Sequence, residues 1–381
     1  MGSNISQTVD PIPKSRTSSF VESGRWKLIP ALMMLGVTQL ASVQGWPTLI
    51  CFIVSATGII PIALLLSDAT EEIAEHSGPT IGAICTAVFG NFAEFIIALS
   101  ALRLGLIDVV KASITGAILS DLLLVTGVAM LVGGLKYSEQ SFQETMVRTN
   151  GAAMTLAVMA MALPASLIST SGIDDPVAIH GLSMTVAVIL IVIYFLTLIF
   201  SLATHSHLFD PQHLQSDGDP STQEDKKSVN LLPWIIQLVL CTSLLAYQSE
   251  SFVHFLEPAT EQLGFSALFT GIIIIPIIGG FSEYVPAVKG AWKDQMDLPI
   301  SLAMGSSLLV ALLIAPTLII IGSLIGQPMD LDFTAFEVIA LIFSVLIVNL
   351  VNMDAKSNWL EGVLLLGMFA IFGAAFYYYP S

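Results

Sequence analysis

Two glutamates stand in the middle of apolar runs, at the same place in two copies of one pattern. Gly90-Asn91-Phe92-Ala93-Glu94 lies inside a run from about Thr80 to Leu102, and Gly279-Gly280-Phe281-Ser282-Glu283 lies inside another. Sliding by 189 positions (283 − 94) puts Gly90 on Gly279, Phe92 on Phe281 and Glu94 on Glu283. The register continues without a gap, with Asp108 on Asp297 and Gly116 on Gly305. An ionisable side chain at membrane depth is costly and marks a functional site. Duplicated, it also constrains the fold, because it describes an ion site built at the interface of two structural repeats. A single buried glutamate can equally be a neutral helix-packing acid; two in register argue for the site.

Hydropathy divides the chain into eleven candidate spans, most of about 20 apolar residues, the length that crosses a bilayer as a helix. They run at about Lys27–Val43, Trp46–Leu66, Thr80–Leu102, Val109–Leu131, Met146–Ile168 and Val177–Leu202. After a soluble break come Asn230–Tyr247, Leu268–Trp292, Pro299–Ile325, Phe333–Val351 and Trp359–Tyr378. A polar segment, Asp68 to Ser77, follows the second span. With alternating spans, eleven of the thirteen Lys and Arg residues fall on one side, and only Arg103 and Lys111 on the other. Basic residues concentrate on the cytoplasmic side, so the N-terminus is expected there. Setting the first span aside leaves two blocks of five. An odd number of spans makes the second block enter with opposite orientation, so the repeats are inverted.

The expected fold is an all-α polytopic membrane protein of eleven transmembrane helices: one extra N-terminal helix plus two inverted five-helix repeats. Residues 1–26 read as a cytoplasmic tail without a cleavable signal, and 27–203 as the first helix and first repeat. Residues 204–228 read as an acidic cytoplasmic linker and 229–381 as the second repeat. The linker's His205, His207 and His213 are too loosely spaced to specify a metal. At 55% hydrophobic and 11% charged residues, the chain is not a soluble enzyme. A net charge of −16 without a basic cluster argues against nucleic-acid binding. Cys51, Cys85 and Cys241 all lie in apolar runs and suggest neither a disulfide framework nor a thiolate site. No Walker A loop or kinase signature is found, so transport would not draw on ATP, and no covalently bound cofactor is expected.

A hard divalent cation takes six to eight oxygen ligands, mixing carboxylates with carbonyls, amides and hydroxyls. Glu94 and Glu283 supply the charge. Carbonyls come from places where the helix breaks, for which Gly90, Gly279, Gly280 and Pro276 are suited. The next spans add Ser113, Thr115, Ser120 and Asp121 around Gly116, and Ser301, Ser306 and Ser307 around Gly305. Any one serine is more often helix-packing glue than ligand. Two ionised glutamates in an empty low-dielectric site repel each other and are costly to desolvate. A divalent cation or protons neutralise them, which leads to cation/proton exchange.

These residues resemble the calcium/proton exchanger family of the calcium/cation antiporter superfamily, over most of the chain beyond residue 60. Gly90 to Glu94 and Gly279 to Glu283 are similar to the family's two glutamate motifs. Gly116 to Gly127, Thr204 to Phe209 and Lys356 to Gly362 are similar to further family segments. The resemblance implies an eleven-helix exchanger that moves calcium out of the cytoplasm in return for protons. Glu94 and Glu283 match the ion-binding and proton-carrying glutamates, Asn91 the first-motif asparagine, and Ser120 and Ser306 helix-borne oxygen ligands. The chain departs at Gly280 (asparagine in the family), Tyr284 (histidine), Ala117 (serine) and Leu309 (glutamine), and Asp121 replaces an asparagine. At least three oxygen donors are lost and one carboxylate is gained. Restoring Gly280→Asn and Leu309→Gln is expected to tighten calcium binding.

Calcium and protons are thus the expected substrates and the bilayer the expected surroundings, in a plasma (inner) or vacuole-type membrane. Sodium, potassium or manganese as cargo is the nearest alternative. A passive cation channel is more remote, since no selectivity loop is recognisable. An intramembrane hydrolase with an acid dyad has no need of one acid from each of two inverted repeats.

Overall fold

The computed structural model describes residues 28–77, 82, 85–86, 88–172, 175–204 and 231–379. The expected tail and all of the expected linker beyond Thr204 lie outside the described residues. The first helix, α1, is Leu28–Val43. A turn with Gly45 at φ 66° leads into α2, Thr48–His76, and α3 is Phe92–Arg103. The fourth, α4, runs Ile107–Gly134. After the short strand β1 (Gln140–Ser141) come α5, Glu144–Ser171, and α6, Pro176–Ile199. The second half has α7, Leu232–Leu263, then α8, Ala267–Gly279, and α9, Phe281–Trp292. It continues with α10, Asp297–Ile325, α11, Ala335–Val351, strand β2, Lys356–Ser357, and α12, Trp359–Tyr377.

Among the described residues eight helices are long and apolar enough to cross a membrane, or nine if α8 and α9 are one span bent by 60°. The span starts at Thr80 and Asn230 lie outside the described residues; elsewhere the hydropathy boundaries agree with the helix ends to within three residues except in two places. Helix α2 continues ten residues beyond Leu66 (76 − 66), through the segment read as polar, and α7 continues sixteen beyond Tyr247 (263 − 247). Both extensions keep a buried stripe at helical spacing: Leu66, Ala69, Thr70 and Ile73 in one, Gln248, Phe252, Leu256 and Ala259 in the other. Hydropathy averages over the polar face, whereas the helix is held by its apolar one. The two helices pack antiparallel along their length, with Phe252 on Phe52, Gln248 Nε2 on Ser55 O and Gln237 Nε2 on Leu65 O, so the extensions lie at opposite ends of the pair.

Burial ranks the spans. Of the most apolar stretch, 83% is buried in α4 and 61% in α10, against 22% in α6. Helices α4 and α10 therefore form the centre, and α6 faces the lipid. Small residues let the central helices approach: a Cβ on Gly116 of α4 would run into the backbone of Ile272, and one on Gly271 of α8 into Ala112. Reciprocal caps start the last two helices, Thr334 with Glu337 at α11 and Asn358 with Glu361 at α12.

Each end of the bundle is tied by polar contacts. At one end β1 pairs antiparallel with β2, Gln140 opposite Ser357. Gln140 Nε2 donates to Ala291 O and to Asp294 Oδ1, both at 2.9 Å, and Lys136 Nζ donates to Trp292 O at 2.8 Å. Lys356 forms an ion pair with Glu139 at 3.0 Å. At the other end Lys111 forms an ion pair with Asp330 and donates to Asp332 O at 3.0 Å. Burial lifts the Asp332 carboxyl above its ordinary range, and nearby Lys111 opposes that shift. Lys136 and Lys356 thus share one end, and Lys111 marks the opposite one.

Candidate ion site

Both glutamates open a helix. Gly90 N–H still reaches Thr86 O at 2.8 Å, the chain turns at Gly90 and Asn91, and α3 starts at Phe92 with Glu94 in its first turn. In the second copy Gly280 N–H reaches Pro276 O at 2.8 Å, α9 starts at Phe281, and Glu283 lies in its first turn. The first turn of a helix has unpaired N–H groups and the positive end of the dipole, so it favours a carboxylate.

Helices α4 and α10 carry the other donors, and each contains a stretch wound wider than an α-helix, Ser120–Val125 and Val310–Ile314. In α4 this turn holds Ser120 and Asp121, with Thr126 Oγ1 returning to Asp121 O at 3.0 Å. Such turns are frequent at functional sites because they re-aim side chains. Ser120 Oγ pairs with Tyr284 OH at 2.8 Å, while Asp121 Oδ2 accepts from Ser306 Oγ at 2.5 Å and from Ser307 Oγ at 3.4 Å. The two neighbours thus point differently, Ser120 toward α9 and Asp121 toward α10.

A chain of contacts joins the halves. Asn91 Nδ2 donates to Glu94 Oε2 at 3.3 Å and to Ser306 Oγ. Glu283 lies within hydrogen-bonding reach of Ser306 and Asp121. Asp121 is 1% exposed and Glu283 8%. Three carboxylate oxygens, Glu94 Oε1, Asp121 Oδ1 and Glu283 Oε2, are buried without a hydrogen-bond partner. Unpaired buried acceptors are rare and ask for an explanation. Beside Glu94 lies a cavity of about 20 Å³ with Ser113, Ala117 and Pro276 in its wall, room for about one water. Among the described residues no three His, Cys, Asp or Glu side chains are set to hold one metal ion. Asn91 and Ser306 link Glu94 to Asp121.

The structure therefore brings together Glu94, Glu283, Asn91, Ser120, Ser306 and Asp121. Gly279 and Gly280 lie against Glu94: a Cβ would stand 3.0 Å from Glu94 Cγ at the first and 3.3 Å from Glu94 Oε1 at the second. At Gly280 it would also stand 3.0 Å from Pro276 O, so asparagine there requires Glu94 to shift by a few tenths of an ångström. Gly90 marks the turn. Of the other aligned hydroxyls, Thr115 bonds Glu337 at 3.3 Å, while Ser113 and Ser301 bond their own helices. Ser307 joins Ser306 on Asp121, and Tyr284 is a partner that the sequence does not single out. Its signal in the sequence is an aromatic hydroxyl directly after the second glutamate.

A family model described as sodium/calcium exchanger protein matches residues 47–203 and 233–378. A Ca(2+)/H(+) antiporter of Aphanothece halophytica is 45% identical over 356 residues, 92% of this chain and 95% of that protein. One of Synechocystis sp. is 46% identical over 349 residues, 88% of this chain and 93% of that protein. Among solved structures, that of native YfkE superposes with a TM-score of 0.78 at 31% identity, covering 92% of this chain and 99% of YfkE. The chain belongs to the sodium/calcium exchanger protein family, among its calcium/proton exchangers.

Proposed function

We propose that this chain exchanges calcium for protons across its membrane, exporting calcium from the cytoplasm, with Glu94 and Glu283 carrying the two cargoes in turn. One observation carries the reading: two glutamates 189 residues apart (283 − 94) each open a helix at a break, and each keeps a buried oxygen with no partner. The spans number eleven when α1 and the run ending in α3 are added to the nine. The 189-residue offset supports two repeats, since α3 and α9 correspond at both ends, Phe92 to Phe281 and Arg103 to Trp292. Five spans per repeat make them inverted. The end holding Lys136 and Lys356 is cytoplasmic by its share of basic residues, in a plasma (inner) or vacuole-type membrane.

The acids explain the coupling. Ionised and empty, Glu94, Asp121 and Glu283 repel one another in a low-dielectric interior. Calcium draws them together, and oxygens of Asn91, Ser120, Ser306 and Tyr284, with carbonyls freed at the two breaks, complete a shell that water can share. Protons neutralise the same acids without calcium. Only the neutralised states reorient readily, so the two cargoes move in opposite directions. The purified protein in proteoliposomes tests this. A pH gradient alone should drive calcium uptake against its own gradient, and dissipating it should stop uptake. Calcium flux indifferent to the pH gradient would mark a channel and sink the proposal. Sodium, potassium and manganese, offered in the same assay, identify competing cargo.

A further inference from the structure

Three helices that meet at the site, α4, α8 and α10, each contain a wide turn: Ser120–Val125, Thr270–Ile274 and Val310–Ile314. Two of these have a cause in the local sequence. Pro276 and Pro316 each stand two residues past a wide turn (276 − 274, 316 − 314). Proline has no N–H for the carbonyl four residues back, and its ring crowds that carbonyl. The carbonyls concerned, of Ile272 and Leu312, both lie inside the wide turns. Helix α4 contains no proline, yet its wide turn is the one that carries Ser120 and Asp121. Such a turn is rare within a helix, so here the packing around α4 has to hold it.

Both flanks of that turn are fixed. The flank after it, Thr126–Gly134, is wedged against α12: a Cβ on Gly127 would stand 3.1 Å from Gly362 O, and one on Gly134 2.3 Å from Trp359 N. On the flank before it, Lys111 and Thr115, one turn apart, tie α4 to α11 and to the loop that precedes α11. Lys111 pairs with Asp330 and donates to Asp332 O at 3.0 Å, and Thr115 Oγ1 donates to Glu337 Oε1 at 3.3 Å. Glu337 is 2% exposed. Its Oε2 caps α11, accepting from Thr334 N and Thr334 Oγ1, both at 2.9 Å. The cap is complete without Oε1, and that is the oxygen turned to α4. Closing the wide turn to an ordinary α-helical one would rotate one flank against the other by about 100°, the share of a single residue. That rotation pulls Thr115 off Glu337 and Lys111 off Asp330.

We infer that the Thr115–Glu337 hydrogen bond positions the ion site from behind: it holds the wide turn of α4, and so keeps Ser120 aimed at Tyr284 and Asp121 at Ser306. The inference rests on the calcium role proposed above for Asp121. Proton-driven calcium uptake by the full chain in proteoliposomes tests it. Thr115→Val keeps the shape and removes the donor. Half-saturating calcium should rise about fivefold, the worth of one hydrogen bond, with maximal rate preserved, and Thr115→Ser should restore the wild-type value. Lys111→Met frees the same flank at Asp330, should act in the same direction, and serves should Thr115→Val fail to fold. Combined with Asp121→Asn, Thr115→Val should raise half-saturation by less than the product of the two single effects, because it works through a side chain already altered. Effects that multiply would make Thr115 a general fold contact and overturn the inference. A lowered unfolding temperature with half-saturating calcium unchanged would overturn it too. Unchanged calcium affinity in Asp121→Asn alone would instead remove the reading beneath the inference, and the inference with it.

Discussion

The two glutamate-bearing stretches, each taken with the helix that follows it as one of the two proposed repeats, are alike in backbone and differ in chemistry. Helices α3 and α9 begin and end at matching positions, and the wide turns of α4 and α10 begin within one residue of the same offset (310 − 120 = 190). Their side chains do not match. Where the first repeat has Asn91, Ser120 and Asp121, the second has Gly280, Leu309 and Val310. Where the second has Tyr284, Ser306 and Ser307, the first has Phe95, Ala117 and Ile118. One repeat offers oxygen where the other offers carbon, and the contacts run between them: Ser120 to Tyr284, Asp121 to Ser306, Asn91 to Ser306. Two facing copies of one full set of donors would crowd a space where Gly280 already meets Glu94. Symmetry is kept where the chain must break, and complementarity replaces it where side chains meet.

The glutamates are the part of this comparison that is alike, and losing either should have the largest effect. Glu94→Gln and Glu283→Gln each keep shape and one oxygen but cannot ionise, so proton-driven calcium uptake should fall to background with expression retained. Wild-type rates in either variant would break the pairing. The matched glycines should then separate the repeats. Gly116→Ala forces a methyl into the Ile272 backbone and should destabilise the fold by about 1–3 kcal/mol, read as a lower unfolding temperature.

Donors present in one repeat only should have graded effects on calcium. Asp121→Asn can still accept from Ser306 but loses a charge from the site. Apparent calcium affinity should drop about tenfold, about 1.4 kcal/mol, with monovalent ions competing better. An unchanged competition profile would make Asp121 a buried structural acid. Tyr284→Phe removes only a hydroxyl paired with Ser120. One neutral hydrogen bond is worth about 1 kcal/mol, so the half-saturating calcium concentration should rise about fivefold with maximal rate preserved. A fall in maximal rate alone would instead place Tyr284 in the conformational step. The smallest effect belongs to Gly305→Ala, where a Cβ meets nothing within 4 Å. Alanine favours a helix over glycine by up to about 1 kcal/mol, so unfolding temperature should hold or rise slightly, against the loss at Gly116.

By itself the sequence determined the membrane class, the helix positions to within a few residues at most ends, and the pair of glutamates. Each of these depends on local composition or on an offset along the chain, which pattern carries directly. It also marked the breaks, because glycine and proline beside an acid in an apolar run have a local meaning. It did not determine how far α2 and α7 extend, since their last turns carry a polar face that lowers hydropathy and are held by an apolar stripe packed on other helices. It could not say that Asp121 lies on Ser306 and Ser307 while Thr115 turns to Glu337, because neighbouring residues on one helix differ in facing by an angle that a wide turn alters. Nor could it show that Gly280 lies against Glu94, or that Asn352 is buried without a partner. Those facts arise where helices distant in sequence meet, and only their packing decides which polar atoms find a partner.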